Sequence, residues 1–190
     1  MPGPFRDRPA SALPRGRAVL SWAIALLLAA CASLPAGFVP PAGGGQVAGV
    51  PFHAQEDHQC GPASLAGVLG FLGDPATPEE IAAAVYRPGL RGSVSLDLAL
   101  YPRSRGLASR FFRGAPADLL AAVDAGRPLV LMLDQGLGPI HSFHFVVLTG
   151  YRPEGVVLNS GRSRGLLAPW ASFLASWAGA DNWALEVTLP

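Results

Sequence analysis

The chain has 190 residues, 50% of them hydrophobic, with 14 basic residues against 13 acids and a formal net charge of +1. That near-balance, with arginine as the sole basic residue type apart from histidine, excludes the basic stripe of a nucleic-acid binder, and no Gly-rich phosphate loop of the Walker type is present to hold a nucleotide. The two cysteines, Cys31 and Cys60, are too few for a disulfide framework.

At the start of the chain, Arg6, Arg8, Arg15 and Arg17 stand against the single acid Asp7, and the apolar run "AVLSWAIALLLAA" follows. A charged segment leading into a short apolar one is the pattern of a secretory signal. As a helix the run reaches about 20 Å at 1.5 Å per residue, short of a bilayer core of about 30 Å. It ends in "LAAC", which resembles the lipobox of bacterial lipoproteins. The resemblance implies cleavage before Cys31 and lipidation of its thiol. Ala32 in the next position implies an outer-membrane anchor facing the periplasm. Residues 1–30 thus read as a lipoprotein signal peptide, and residues 31–46 as a Pro/Gly-rich tether. Residues 47–190 are enough for one compact domain. With Cys31 acylated, Cys60 is left as a free thiol in an oxidising compartment.

Within the domain, Leu65, Val68, Leu69 and Leu72 share one helical face after Cys60, with Pro62 in the first turn and "GDP" as a stop. The next helix starts at Thr77, with Pro78 at the first position and Glu80 completing a capping box. A third short helix starts near Ser95. "LASRFF" reads as a strand, "APADLLAAVDAG" as a helix ended by Gly126, and "RPLVLMLD" as a buried strand. "HFVVLTGY" and "GVVLNS" form a hairpin-like pair around "RPE"; "PWASFLASW" is a last helix and "WALEVTLP" a closing strand. Helices first and antiparallel strands later give an α+β fold, with N-terminal helices packed on an antiparallel sheet.

The start of a helix is an electropositive place with unpaired N–H groups, so Cys60 at such a start is expected to lean toward thiolate. A nucleophilic thiol needs a base, usually His, and a group that orients it. Buried packing is the common alternative for a free cysteine.

"QEDHQCGPASLAGVL" resembles the active-site segment of the bacteriocin-processing (double-glycine) cysteine peptidases, family thirty-nine, and their papain-like relatives. The match lies in Gln55, Cys60 and Gly61, with Pro62, Ala63 and Leu65. "HFVVLTGYRPEGVVLNSG" resembles the second motif of that family. The resemblance implies a papain-like fold and a triad of Cys60 as nucleophile, His144 as base and Asn159 as orienting residue. Gln55, with the N–H of Cys60, would donate to the oxyanion; Gln59 is a second candidate for that donor. Many members carry Asp where Asn159 and Gln59 stand, which implies a less strongly polarised base here. "NSGRSRG" in place of an Asp-Pro implies a periplasmic lipoprotein branch with its own substrates.

The implied activity is hydrolysis of peptide bonds in a peptide or protein substrate by a lipid-anchored enzyme. Two rivals stand beside it: a peptide-binding module that does not cut, and an amidase acting on cell-wall or small-molecule amides. No cofactor is implied. His53, His58, Cys60, His141 and His144 lack regular metal-ligand spacing, so no metal site is assigned. His141 reads as a loop residue or substrate contact, Trp170, Trp177 and Trp183 as core, and Arg162 and Arg164 as turn charges.

Overall fold

The computed structural model describes residues 34–54, 59–87, 89 and 92–190, all within one compact unit, Ser33–Pro190. Five helices lie among them: α1 (Cys60–Phe71), α2 (Pro78–Val85), α3 (Ser95–Ser104), α4 (Pro116–Asp124) and α5 (Trp170–Gly179). The capping box of α2 forms as its sequence demands. Thr77 Oγ1 accepts the Glu80 N–H at 3.2 Å, and the Glu80 carboxylate accepts the Thr77 N–H at 3.1 Å. Gly126, just past α4, takes φ +70°, the left-handed stop that glycine adopts without strain. No helix among the described residues is long and apolar enough to cross a membrane.

The strands are β1 (Gly45–Gln46), β2 (Tyr86–Arg87), β3 (Gly92–Ser93), β4 (Ala108–Arg113) and β5 (Leu129–Asp134), then β6 (Phe143–Arg152), β7 (Gly155–Ser160), β8 (Ser163–Pro169) and β9 (Trp183–Thr188). One antiparallel sheet runs β4-β9-β5-β6-β7-β8, and β2 and β3 form a separate small hairpin. Ten-residue β6 sits in the middle. It pairs with β5 on one side, from Asp134↔Phe143 to Leu129↔Leu148, and with β7 on the other. Three helices ahead of the main strands, two more between them and antiparallel pairing throughout the sheet make this a mixed α+β fold.

Helix α1 is the buried spine. Its register of Leu65, Val68 and Leu69 was legible as one face, yet every residue from Gly61 to Leu69 is buried. Neighbours surround it: β6 lies on one side, α2 and α3 on others. Small residues make this possible. A Cβ on Gly67 would stand 2.8 Å from the Pro51 carbonyl oxygen, and one on Gly61 2.8 Å from Leu98 Cδ1. Leu65, Val68 and Leu69 lose all exposure, each contributing on the order of 2 kcal/mol of apolar burial. Trp170, Trp177 and Trp183 lie in the same core.

Besides the small β2–β3 hairpin, two elements of the main sheet differ from the sequence reading. β8 was not expected, because "SRGLLAP" has no alternating pattern and is mostly exposed. It is an edge strand whose stability comes from the ladder to β7, Gly155↔Pro169 to Ser160↔Ser163. The stretch read as tether, up to residue 46, supplies β1, which pairs with Tyr151 and Gly150 of β6, and Phe38, whose ring stands 5.1 Å from that of Trp170.

Candidate active site

Cys60 opens α1 behind Gln59, whose side chain makes no capping bond. The thiol is half-buried and unpaired by any disulfide. Backbone N–H groups of Phe145, Gly61 and Cys60 itself point at the sulfur and favour its anion, but burial outweighs them and pushes the thiol above its ordinary value. The sequence argument anticipated the opposite direction from the helix start alone. Desolvation wins because the first turn of α1 is inside the protein rather than at its surface.

Phe145 belongs to β6, so its N–H brings the sulfur to the residue next to His144. His144 stands opposite Leu133 near the start of β6. Its Nε2 lies 3.1 Å from Ser160 Oγ, and burial lowers its pKa below the ordinary histidine value. Thiol and imidazole are therefore both favoured in their neutral forms at rest. Ser160 can accept from Nε2–H or donate to the bare nitrogen, and either bond orients the ring.

The contact that the sequence reading gave to Asn159 belongs to Ser160. Consecutive strand residues point to opposite faces, so Asn159 and Ser160 on β7 cannot both face His144. Asn159 is paired with Val147, 6% exposed, and its Oδ1 accepts the Gly165 N–H at 3.0 Å. That bond serves a bulge: the β7–β8 register shifts between Leu158 and Ser160, and Gly165 takes φ +69°. Gly161, at φ +58°, begins the two-residue turn that places Ser160 opposite Ser163. Asn159 thus shapes the hairpin, and Ser160 at its end meets the histidine. Strand alternation applied to "VVLNS" was the signal that separates the two.

Gln55 and Cys31 lie outside the described residues. Gln59 lines a cleft of about 410 Å³ with Phe52, His53, Thr77 and Glu79. His141 is not beside His144's partner: its Nδ1 stands 2.5 Å from Asp134 Oδ2, and its ring stacks on Phe143 at 5.8 Å. Among the described residues no three His, Cys, Asp or Glu side chains are grouped as metal ligands would be. A second cleft of about 310 Å³ opens beside Phe143, with Ser95, Phe111, Met132 and Trp183 in its wall and the Arg113–Asp181 ion pair, 3.1 Å, at its rim.

A thiol thus opens a buried helix, a histidine lies on the central strand and a hydrogen-bonding hydroxyl on the next strand, in a fold of the papain-like class. The chain belongs to the Peptidase_C39 like family, whose model matches residues 47–182. Three solved structures share the fold. A C39-like peptidase from Bacillus anthracis superposes with a TM-score of 0.64 at 18% identity, over 77% of this chain and 98% of that one. A double glycine motif protease from an AMS/PCAT transporter, solved with its leader peptide, gives 0.62 at 24%, over 77% and 95%. The peptidase domain of Streptococcus ComA, a bifunctional ABC transporter of a quorum-sensing pathway, gives 0.62 at 18%, over 75% and 100%. No curated protein matches the sequence.

Proposed function

We propose that this chain is a cysteine peptidase in which Cys60 attacks the peptide carbonyl and His144, held by Ser160, moves the proton. The observation that carries the reading is the pairing of His144 Nε2 with Ser160 at 3.1 Å, next to Phe145, whose backbone N–H favours the Cys60 anion. In the first step the Cys60 S–H proton passes to His144 Nδ1 as sulfur bonds to the carbonyl carbon. The oxygen becomes an oxyanion, held by the Cys60 N–H and by Gln55; one such donor is worth about 3 kcal/mol in the transition state. Collapse breaks the C–N bond, and His144 returns its proton to the leaving amine. Water, deprotonated by His144, then hydrolyses the thioester and restores the thiol.

The family and the leader peptide bound by one structural relative support a peptide as substrate. The cleft lined by Phe111, Met132, Phe143 and Trp183 has room for part of such a peptide. Lipid attachment at Cys31 would hold the enzyme on the periplasmic side of the outer membrane, and the Leu-Ala-Ala-Cys motif is what supports that address. Cys31→Ser is expected to release the protein from the membrane fraction.

A second reading, a peptide-binding module, has a specific observation in its favour. His144 has a hydroxyl partner rather than a carboxylate, and neither reactive group is charged at rest. Digestion of a peptide mixture, followed by mass spectrometry, separates the two. Cuts made by the wild type and lost in Cys60→Ala support the peptidase. Intact peptides that co-purify with both proteins would establish the binding module.

A further inference from the structure

The structure assigns Asp134 as a positioning residue for His144, one that fixes the loop through which the histidine enters β6. The inference rests on the peptidase reading and extends it to a group outside the Cys60–His144–Ser160 set.

The loop between β5 and β6, residues 135–142, is closed at its base by one backbone bond, Gln135 N–H to the Ser142 oxygen at 2.8 Å, and has little beyond that to hold it. Its one bridge joins Leu137 to Ile140, and both side chains lie in solvent, 87% and 72% exposed. No apolar burial anchors that tip. Asp134, the last residue of β5, supplies the anchor instead. Its Oδ1 accepts the N–H groups of Gly136 and Ser142, each at 2.9 Å, so one oxygen closes both ends of the loop. Its Oδ2 meets His141 Nδ1 at 2.5 Å.

Asp134 is itself fixed from behind. Ser176 of α5 donates its hydroxyl to the Asp134 backbone oxygen at 2.5 Å. A Cβ placed on Gly179 would stand 3.0 Å from the Asp134 Cβ, so a larger residue there would push Asp134 aside by a few tenths of an ångström. The carboxyl is held far down, at about 2, by the His141 ring first and then the Ser142 and Gly136 N–H groups, so it remains an anion throughout the neutral range.

The loop leads straight into the active strand. Ser142, bonded to Asp134, is followed by Phe143, on which His141 stacks at an interplanar angle of 6°, and then by His144. Fixing Ser142 and Phe143 fixes where His144 starts. A histidine whose ring is steered by a single hydroxyl depends more on its backbone than one clamped by a carboxylate would. Displacements of an ångström at such a group cost rate rather than binding.

The test uses the full chain and steady-state cleavage of the best-cut peptide, read as kcat and KM. Asp134→Ala is expected to lower kcat about tenfold with KM within twofold. Asp134→Asn keeps an oxygen for both N–H groups and is expected to recover most of kcat. Should the alanine variant not fold, Asp134→Ser takes its place with the same expectations. Wild-type kcat in Asp134→Ala would overturn the inference while His144→Ala still lowers kcat. Equal losses in Asp134→Ala and Asp134→Asn would also overturn it, since the charge and not the loop anchor would then matter. Cleavage indifferent to Cys60→Ala and His144→Ala would remove the peptidase reading and this inference with it.

Discussion

Two histidines three residues apart on one stretch of chain sit in opposite surroundings. His141 is exposed and sets its Nδ1 2.5 Å from a carboxylate, Asp134; His144 is half-buried and meets a hydroxyl, Ser160. Judged by partner alone, His141 looks the better base, because a carboxylate stabilises the imidazolium. Place reverses that judgement. The backbone N–H next to His144 is directed at the Cys60 sulfur, whereas His141 and Asp134 close a surface loop. The carboxylate contact serves the loop, and the hydroxyl contact lies beside the strand position that faces Cys60. A His–carboxylate contact therefore does not by itself mark a catalytic base; the nucleophile's position does.

The largest effect expected from this contrast is the loss of cleavage on replacing each ring. His144→Ala should lower kcat/KM by about 10²–10⁴, the usual scale for a general acid–base group. His141→Ala should cost no more than about tenfold, through the loop. Comparable losses in both would erase the distinction.

A smaller effect should come from exchanging the partner. Ser160→Asp puts a carboxylate on Nε2, which favours imidazolium and should raise Cys60 alkylation at pH 7 by about tenfold. In the wild type that rate should stay low at pH 7 and climb only near or above pH 9, since burial raises the thiol. Asn159→Asp should give no such gain, because its carboxylate would face the Gly165 N–H. A gain at Asn159 and none at Ser160 would hand the orienting role back to Asn159.

Asn159→Ala should instead destabilise the fold, by about 1–3 kcal/mol for an orphaned buried partner, measured by urea unfolding with the alkylation rate of the folded protein unchanged. The smallest effect is the pH profile of stability. His144 is depressed by burial, so its contribution is present above the unfolded value of 6.5 and falls away as pH drops through the folded one. Asp134 adds a second loss as pH falls from 3.8 toward about 2. Cys60 is raised, so stability falls as pH climbs above 9. A thermal-unfolding midpoint that is flat from pH 4 to pH 7 would contradict the His144 part of this profile.

Much of this was legible in the residues. Thr77-Pro-Glu-Glu wrote the start of α2, and the apolar run at residues 129–133 wrote β5. Cys60 and His144 stood out through motif resemblance, and the fold follows them. What the sequence concealed depends on register. Asn159 and Ser160 are adjacent and both polar, and only the bulge at Gly165 and the alternation of β7 decide which one faces His144. Burial of the α1 start was equally hidden, because a helix surrounded on all sides resembles a one-sided helix whose polar face is made of Gly, Ala and Ser. Asp134 escaped notice for a third reason: two of its three partners are the backbone N–H groups of Gly136 and Ser142, which no side-chain pattern advertises.

The central claim is that Cys60 forms a covalent acyl intermediate rather than resting against a bound peptide. The direct measurement is the intact mass of the domain, acid-quenched within seconds of mixing with a peptide mixture it cleaves. The account predicts a peptide-acyl adduct mapping to Cys60 in the wild type, absent from Cys60→Ala and accumulating when deacylation is slowed. An unchanged protein mass, with peptides bound but released intact, would contradict it and leave a papain-like fold that holds peptides without cutting them.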